Sequence, residues 1–297
     1  MSNTIHYTNC PVCGSADIQN ILSVKDYMVS GKIFPIAECN SCTLRFTQDV
    51  PDADSISDYY KSKNYISHSN TSKGFINRLY KIVRKRTMTG KRKLVETITS
   101  VKRGSLLDIG SGIGSFVNEM KRHGWNATGM EPDEEARKLA KQVYQLELKN
   151  TSEFYKLPSG SFDTITLWQV LEHVHDLHGC IQQLKRLLTE NGRLFIAVPN
   201  YTSKDAAVYK EYWAAYDVPR HLYHFSPRAM QVLIEKNGLK LLQHKPMWYD
   251  SFYVSMLSEN YRHGNNLVKA VITGLLSDIY AIFRKEKCSS LIYIISK

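Results

Sequence analysis

Four of the six cysteines form two C-x-x-C pairs near the start of the chain, Cys10 with Cys13 and Cys39 with Cys42. Each pair can turn tightly enough to aim two thiolates at one ion, and a hairpin between the pairs would bring them together. This spacing predicts a tetrahedral zinc ion. Because the protein supplies all four ligands and no position is left for water, the ion would be structural.

Two other uses of these cysteines compete with zinc. Two disulfide bonds would need an oxidising compartment, but the first residues have neither a basic start nor an apolar run. We therefore expect no signal peptide and a cytoplasmic protein. A thioredoxin-like redox site would need a single C-x-x-C pair beside a βαβ unit. Cys180 and Cys288 are isolated in sequence and are predicted to be buried.

A second group of chemically informative residues is a glycine-rich turn that follows a short apolar run. It contains Asp108, Gly110, Gly112 and Gly114, and Ser115 stands where a dinucleotide-binding fingerprint has its third glycine. A carboxylate at position 108 would repel a pyrophosphate but suits a ligand with an ammonium and a sulfonium group. S-adenosylmethionine has both and lacks phosphates. An NAD-dependent oxidoreductase is the alternative that such a turn leaves open.

Glu131 follows the next apolar run, about 20 residues after the glycines. An acid at the tip of that strand can accept hydrogen bonds from both ribose hydroxyls of a nucleoside, in NAD enzymes and methyltransferases alike. An alternative that is compatible with this role makes Glu131 an acidic residue at the start of the helix that Pro132 and Asp133 open.

Candidate acid–base residues follow the predicted fourth and fifth strands, at the edge where doubly wound sheets bind ligands. Glu172 and His173 come directly after the fourth, and His221 and His224 follow the fifth. Histidine suits proton transfer because its pKa lies near working pH. As alternatives, His173 orients its loop and His224 is a packing residue. A metal site at His173, His175 and His178 is a further alternative, against the simpler explanation of a polar helix start.

The elements that position these residues are predicted from alternating apolar and amphipathic stretches. The pattern predicts an α/β fold with a doubly wound, mostly parallel sheet. Six candidate strands are visible, at 105–109, 127–130, 162–168, 193–198, 240–247 and 290–296. Helices are predicted at about 113–123, 133–143, 177–189 and 227–237.

The predicted domain organisation has three parts. Residues 1–50 form a zinc-ribbon-like module, residues 51–103 a basic helical linker, and residues 104–297 the α/β domain. This last domain carries an insertion at about 249–287 with helical apolar spacing. The insertion could cover the acceptor site, form a dimer or touch a membrane, and the sequence does not choose between these roles.

Residues 104–200 resemble the core of the class I S-adenosylmethionine-dependent methyltransferases, especially the branch that includes ubiquinone-biosynthesis enzymes. The resemblance rests on four motifs in order: LLDIGSGIGSF, GMEPDEEA, LPSGSFDTITLWQVLEHVHD and LLTENGRLFIAVPN. It implies a doubly wound, seven-stranded and mostly parallel sheet of Rossmann-like type. It also implies that the cofactor is held by the acid and glycines of the first motif, by Glu131 and by the strand tip near Gln169. Family members often hold adenine with an aspartate where this chain reads Asn150-Thr151-Ser152-Glu153.

The segment WAAYDVPRHLYHFSP resembles a loop of methyltransferases found with glycan and sugar biosynthesis, in which a histidine at the position of His221 lies near the acceptor. Sugar C-methyltransferases also carry a four-cysteine zinc site before the core, although they add a further domain after it. The resemblance implies methyl transfer to a sugar, glycan or nucleotide-sugar precursor, at oxygen or carbon. His221, His173 and Glu172 are the candidate base or acceptor contacts.

The net charge of +11 is local, because residues 73–103 contain eleven Lys or Arg and one acid. The segment is either a solvated helix face or a patch for phosphates of a substrate, an anionic lipid or RNA. An RNA methyltransferase is therefore the main alternative function, but residues 167–170 lack the Asn/Asp-Pro-Pro-Tyr/Phe motif that grips a flipped base. A binding protein without activity is another alternative. Peripheral membrane contact is possible, and the oligomeric state is not predicted.

Overall fold

The protein is described here by a computed structural model that covers residues 4–60, 75–262, 264 and 266–297, with the backbone alone for residues 75–85. The first half of the basic segment, including Lys73 and the side chains before Arg86, lies outside the described residues. The phosphate-patch and RNA alternatives therefore remain predictions.

The strands are short and are numbered in chain order: β1 Thr4–Ile5, β2 Ile18–Lys25, β3 Ile33–Cys39, β4 Arg45–Thr47, β5 Val50–Pro51, β6 Ser105–Ile109, β7 Asn126–Met130, β8 Phe162–Trp168, β9 Leu188–Pro199, β10 Tyr223–His224, β11 Lys240–Pro246 and β12 Ser290–Ser296. The α-helices are α1 Phe75–Thr99, α2 Ser115–Arg122, α3 Glu134–Tyr144, α4 Leu177–Leu187, α5 Lys204–Tyr209, α6 Pro227–Lys236, α7 Asp250–Arg262 and α8 Leu267–Phe283.

The chain forms two compact units. Among the described residues, the first contains those within 4–60, 171–180 and 197–293, and the second contains those within 75–170, 181–196 and 294–297. The predicted cysteine and histidine sites belong to the first unit, and the glycine turn and Glu131 belong to the second.

In the first unit, a four-stranded sheet of order β10-β4-β3-β2 carries the cysteines at its end. Strands β2 and β3 form the antiparallel hairpin that the sequence predicts between the two cysteine pairs. Its turn is held by Asp26, whose carboxylate accepts hydrogen bonds from the backbone N–H groups of Met28, Val29 and Ser30. Strand β10, from far along the chain, pairs with β4 through Tyr223 and Phe46.

The central sheet has six strands in the order β11-β12-β9-β8-β6-β7, and β6 pairs in parallel with both β7 and β8. The sequence predicted seven strands, so among the described residues the sheet is one strand short. Next to β7, residue Lys149 makes only an isolated parallel bridge to Met130. We attribute this to the surrounding sequence Glu147-Leu-Lys-Asn150, which alternates apolar and charged residues over too few positions for a ladder.

The predicted helices are confirmed within two residues at their ends. Helix α6 begins as the sequence indicates, because the Ser226 hydroxyl caps the Ala229 N–H at 3.0 Å and Pro227 occupies the first helical position. The insertion forms α7 and α8, which pack against each other. Within the described residues, no helix combines the length and apolar character needed to cross a bilayer.

Candidate functional site

The four predicted zinc ligands come together in the first unit. The Sγ atoms of Cys10 and Cys42 are 3.5 Å apart, as are those of Cys13 and Cys39, and all four lie within 4.8 Å of one another. A tetrahedral ion with Zn–S bonds of about 2.3 Å needs sulfur atoms at roughly this separation. A hydrogen bond from Cys42 lowers the pKa of the Cys10 thiol to about 5, as expected where thiols crowd and one of them ionises.

The backbone of the first knuckle is held by side chains from later in the chain. The Lys236 ammonium donates to the Cys13 carbonyl at 2.6 Å, and His178 Nε2 lies 3.1 Å from the Pro11 carbonyl and 3.2 Å from that of Val12. His175 likewise bonds the Pro51 carbonyl through Nε2. His175 and His178 therefore form hydrogen bonds with backbone carbonyls. Among the described residues, His173, His175 and His178 do not come together as a metal-binding group.

In the second unit, the predicted cofactor residues meet at the carboxyl ends of β6 and β7. Asp108 is buried, and its carboxylate accepts a hydrogen bond from the Thr166 hydroxyl at 2.6 Å. The two residues face each other in the parallel register of β6 and β8. Burial raises the pKa of Asp108 to about 6, although Thr166 and nearby Lys91 favour the charged form. A positively charged ligand would compensate this buried carboxylate.

Glu131 ends up beside the glycine turn. One carboxylate oxygen accepts the Gly112 N–H at 2.8 Å, and the other accepts the Asp133 N–H at 3.1 Å. Each carboxylate oxygen retains further acceptor capacity, so the group can still receive hydrogen bonds from ligand hydroxyls. Burial raises the pKa of Glu131, which these two backbone donors partly offset.

The three glycines of the turn differ in what surrounds them. All adopt positive φ, but a Cβ on Gly110 would stand 2.4 Å from Val170 Cγ2, and one on Gly114 would stand 2.9 Å from Leu146 Cδ1. Packing therefore requires glycine, with no side chain, at positions 110 and 114. A Cβ on Gly112 would meet nothing within 4 Å, so the backbone there faces open space that a ligand can approach. Gln169, at the end of β8, also adopts a left-handed φ of 60°.

Two residues of this region were not identified from the sequence. Thr166 is a polar residue within an apolar strand, and that interruption is a signal that could have been read. Lys91 belongs to the basic segment, where nothing distinguishes it from its neighbours. Its ammonium lies 4.2 Å from the ring centroid of Trp168.

The candidate acid–base residues cluster in the first unit, because the backbone N–H of Leu222 donates to the Glu172 carbonyl at 2.8 Å. His221 Nε2 lies 4.0 Å from a Glu172 carboxyl oxygen and 3.9 Å from Asp217 Oδ2. His221 Nδ1 is 2.8 Å from the Ala215 carbonyl. A carbonyl only accepts, so Nδ1 carries the proton and the neutral ring presents a free lone pair at Nε2.

Glu172 is buried completely, and neither carboxyl oxygen has a hydrogen-bond partner among the described residues. Burial raises the pKa of Glu172 to about 8, and the charges of Asp250 and Asp217 act in the same direction. Burial also lowers the pKa of His221. The pair therefore combines a neutral imidazole and a carboxyl group that titrates near neutral pH, an arrangement suited to moving one proton.

His173 differs from His221 although their ring centroids are 4.6 Å apart. Its Nδ1 lies 3.0 Å from both the Tyr60 hydroxyl and the Arg220 carbonyl, so this nitrogen carries the proton. Burial lowers the pKa of His173 to about 3, with a further contribution from His221. A group with so low a pKa has little affinity for a proton and is therefore a poor base. Ligand atoms of Glu172, His173 and His221 lie within 4.8 Å of one another, a spacing that would also fit a metal ion.

A buried ion-pair network supports the segment that carries His221. Arg220 donates to Asp217 and lies 3.3 Å from Asp26 in the turn of the β2–β3 hairpin. Burial opposes ionisation of Asp217, but the hydrogen bonds from Arg220 and the proximity of His221 lower its pKa overall. Asp217 and Arg220 belong to the segment WAAYDVPRHLYHFSP, but no role was predicted for them from the sequence. Asp26 was missed because its contact with Arg220 joins residues 194 positions apart.

Comparison with known proteins gives a consistent family. Residues 81–244 match a family described as "Methyltransferase domain". The chain is 28% identical over 171 residues to ubiquinone biosynthesis O-methyltransferase of Xanthomonas euvesicatoria, which covers 52% of this chain and 71% of that protein. It is 36% identical over 110 residues to the protein of the same name from Glaesserella parasuis, where the match covers 33% of this chain and 47% of the relative.

One solved structure shows the shared fold. Magnesium protoporphyrin IX methyltransferase from Synechocystis, with bound SAH, superposes with a TM-score of 0.53 at 14% identity, covering 82% of this chain and 99% of that chain. At this identity the likeness concerns the fold alone, a Rossmann-like methyltransferase fold with a mostly parallel central sheet.

The raised pKa of Glu172 makes a prediction for stability. The folded state holds a proton on Glu172 up to about pH 8, whereas the unfolded chain releases it near pH ~4.3, so the folded state binds more protons between these values. We expect the contribution of Glu172 to the free energy of unfolding to be present at low pH and to be lost as pH rises through about 8. Urea denaturation of the parent protein and Glu172→Gln over this range measures it: the variant should show a flatter decline. Parallel curves would contradict the assignment.

Proposed function

We infer that this chain, which belongs to the methyltransferase domain family and is a methyltransferase, transfers a methyl group from S-adenosylmethionine to a hydroxyl oxygen of a small molecule. The observation that carries the proposal is the buried Asp108 carboxylate beside the open backbone of Gly112. The relatives named O-methyltransferases support oxygen as the acceptor atom.

The residues present fit such a donor. Asp108 would face its positive charge, Gly112 would let it approach the backbone, and Glu131 would accept hydrogen bonds from ribose hydroxyls. Gly110, Gly114 and Gln169 would shape the turn and the strand tip around it. When bound, S-adenosylmethionine supplies an electrophilic methyl group on a sulfonium. The buried Asp108 carboxylate favours a positively charged ligand, and this distinguishes the site from one for a pyrophosphate-bearing dinucleotide.

His221 is the proposed base. Its free lone pair at Nε2 would take the proton of the acceptor hydroxyl, and Asp217, 3.9 Å away, would stabilise the resulting imidazolium. Glu172 has a pKa near 8, so only its ionised form, populated as pH rises through that value, would accept the proton from His221. His173, held neutral by burial and by the neighbouring His221 imidazole, would position the His221 ring.

Two classes of acceptor are proposed. The sugar, glycan or nucleotide-sugar precursor expected from the sequence is one class, and an intermediate of ubiquinone biosynthesis, suggested by the names of the relatives, is the other. A mass-spectrometric screen of both classes for a labelled methyl group separates them. Methyl transfer at carbon would show as a label that resists the hydrolysis that removes a methyl ether.

We also propose that the four cysteines bind one structural zinc ion. The support is their mutual spacing within 4.8 Å and the two supporting side chains, Lys236 and His178, that fix the first knuckle. Zinc would hold the end of the cysteine-bearing sheet, and the protein fills all four ligand positions, so the ion would take no part in chemistry.

Replacing Asp108 by Asn tests the cofactor site. We expect S-adenosylmethionine to bind about 2 kcal/mol more weakly, or ~30-fold, because a charge-assisted contact is lost. The affinity of the parent protein, measured by calorimetry, should also fall as pH drops below about 6, because Asp108 then takes up a proton. The variant should lack this dependence. Glu134→Gln, which removes an exposed acid of α3, is the matched control and should bind normally. Equal affinity for the Asp108 variant would place the site elsewhere.

His221→Ala and His173→Ala separate a base from a positioning residue. For His221→Ala we expect kcat to fall by ~10²–10⁴ with cofactor affinity unchanged, and the acidic limb of the pH–rate profile to disappear. For His173→Ala we expect a smaller loss of kcat and a profile that keeps this limb. An active His221 variant with the parent pH profile would rule out His221 as the base.

Metal content tests the zinc proposal without any activity assay. Purified protein should contain one zinc ion per chain by elemental analysis, and Cys13→Ser together with Cys39→Ser should abolish it and lower the thermal midpoint. Cys288→Ala, a buried cysteine outside the cluster, is the control and should keep the metal. Protein without zinc and without free thiols at these positions would support the two disulfides instead.

A further inference from the structure

Helix α8 is amphipathic in the opposite sense to a helix on the surface of a globular protein. Its side chains that face the protein are small or polar: Ala270, Thr273, Gly274, Ser277 and Ala281. Ten of its large apolar side chains are exposed instead, and Val268 and Phe283 are 72% and 82% exposed. A helix that packs on a core normally buries its large apolar residues.

The exposed apolar sector is unusually wide. At 100° per residue, the ten side chains cover about 220° of the helix circumference, and the small residues fill most of the remainder. The helix is about 25 Å long, from 17 residues at 1.5 Å rise. An apolar surface of this extent exceeds what monomeric soluble proteins usually expose and marks an interaction site.

The orientation of α8 is fixed by specific contacts, so the apolar face cannot turn inward. The Ser277 hydroxyl donates to buried Asp205 at 2.7 Å, and the Ser251 hydroxyl of α7 donates to Asp278 at 2.7 Å. A Cβ on Gly274 would stand 3.0 Å from the Cα of Phe252, so the two helices approach more closely than larger residues would allow. The small residues thus serve close packing, and the large ones are left outside.

Further aromatic and apolar side chains are exposed on the neighbouring segment. Tyr253 and Met256 of α7 are exposed, as are Trp248 and Tyr249 just before it. Tryptophan and tyrosine are enriched at the boundary between lipid and water, because one part of the ring is apolar and the other can hydrogen-bond.

Basic residues lie at both ends of α8. Arg262 precedes it, and Arg284, Lys285 and Lys287 follow it. From residue 262 to residue 287 the chain has five basic and two acidic residues, a net charge of +3. Lys269, one of the five, pairs with Glu259 of α7 at 3.4 Å. One of the two acids, Asp278, is engaged with Ser251. Such flanking charge is complementary to anionic lipid headgroups.

We propose that α8, together with the exposed side chains of α7, docks this protein on the surface of an anionic lipid bilayer, with α8 lying in the plane of the interface. A second copy of the chain fits less well. A helix pair buries a narrower stripe than 220°, so apolar surface would remain exposed. Because both ends of α8 are basic, parallel and antiparallel pairing would each bring like charges together. The proposal does not depend on the methyl-transfer reaction.

Vesicle flotation with the full-length protein tests this docking. We expect binding to phosphatidylcholine vesicles that contain phosphatidylglycerol, weaker binding to phosphatidylcholine alone, and loss of the difference at high salt. Leu276→Glu combined with Phe283→Glu should reduce the bound fraction at least ~10-fold, because two exposed side chains would no longer enter the interface. Both are exposed, so circular dichroism and the thermal midpoint should not change.

Ile33→Glu is the matched control, since this residue is 68% exposed at the start of β3, in a different element. It should leave vesicle binding intact. Binding that the α8 double variant does not reduce would overturn the proposal, as would failure of the parent protein to bind either vesicle. A dimer in lipid-free solution that the double variant dissociates, without vesicle binding by the parent, would identify the face as a contact between two copies.

Discussion

The proposed chemistry depends on one constraint, the burial of the Asp108 carboxylate at the carboxyl end of β6. Asp108 receives a single side-chain hydrogen bond from a neighbouring strand, and its burial raises its pKa toward the physiological range. A group in this state is stabilised by a cation that approaches it more than by further hydrogen bonding. The turn that follows has one glycine whose backbone faces open space. Charge preference and access therefore come from two residues of one motif, Asp108 and Gly112.

The two histidines show how environment separates residues of the same type. Each has its Nδ1 proton fixed by a backbone carbonyl, and each is buried. They differ in their neighbours: a carboxyl oxygen of Glu172 and one of Asp217 lie within 4.0 Å of the free nitrogen of His221. For His173, burial and the His221 imidazole lower the pKa despite the charge of Asp217. Nearby negative charge favours taking up a proton and a nearby imidazole opposes it, so only one of the two is suited to acting as a base.

The sequence predicted those parts of the molecule in which a local pattern determines the outcome. The cysteine pairs, the glycine turn, the strands of the parallel core and the Ser226-Pro227 helix start are such features, and the structure contains them. It failed where the outcome depends on distant partners. The contact of Asp26 with Arg220 joins residues 194 positions apart, and the pairing of Thr166 with Asp108 depends on strand register. The seven strands that the family resemblance implies are not confirmed: among the described residues the sheet has six, and Lys149 forms only one bridge beside β7.

The pairing of β10 with β4 has a practical consequence for dissecting the molecule. Strand β10 begins two residues after His221. Its partner is β4, residues 45–47, which begins three residues after Cys42. The Thr47 hydroxyl also donates to the carbonyl of His221 at 2.7 Å. A fragment that starts after residue 50 would therefore lack β4, the strand that pairs with β10 and bonds the backbone of His221. Backbone polar groups in the interior would then be left without hydrogen-bond partners. Expression of such a fragment would yield a protein in which the positions of His221 and its neighbours are no longer fixed.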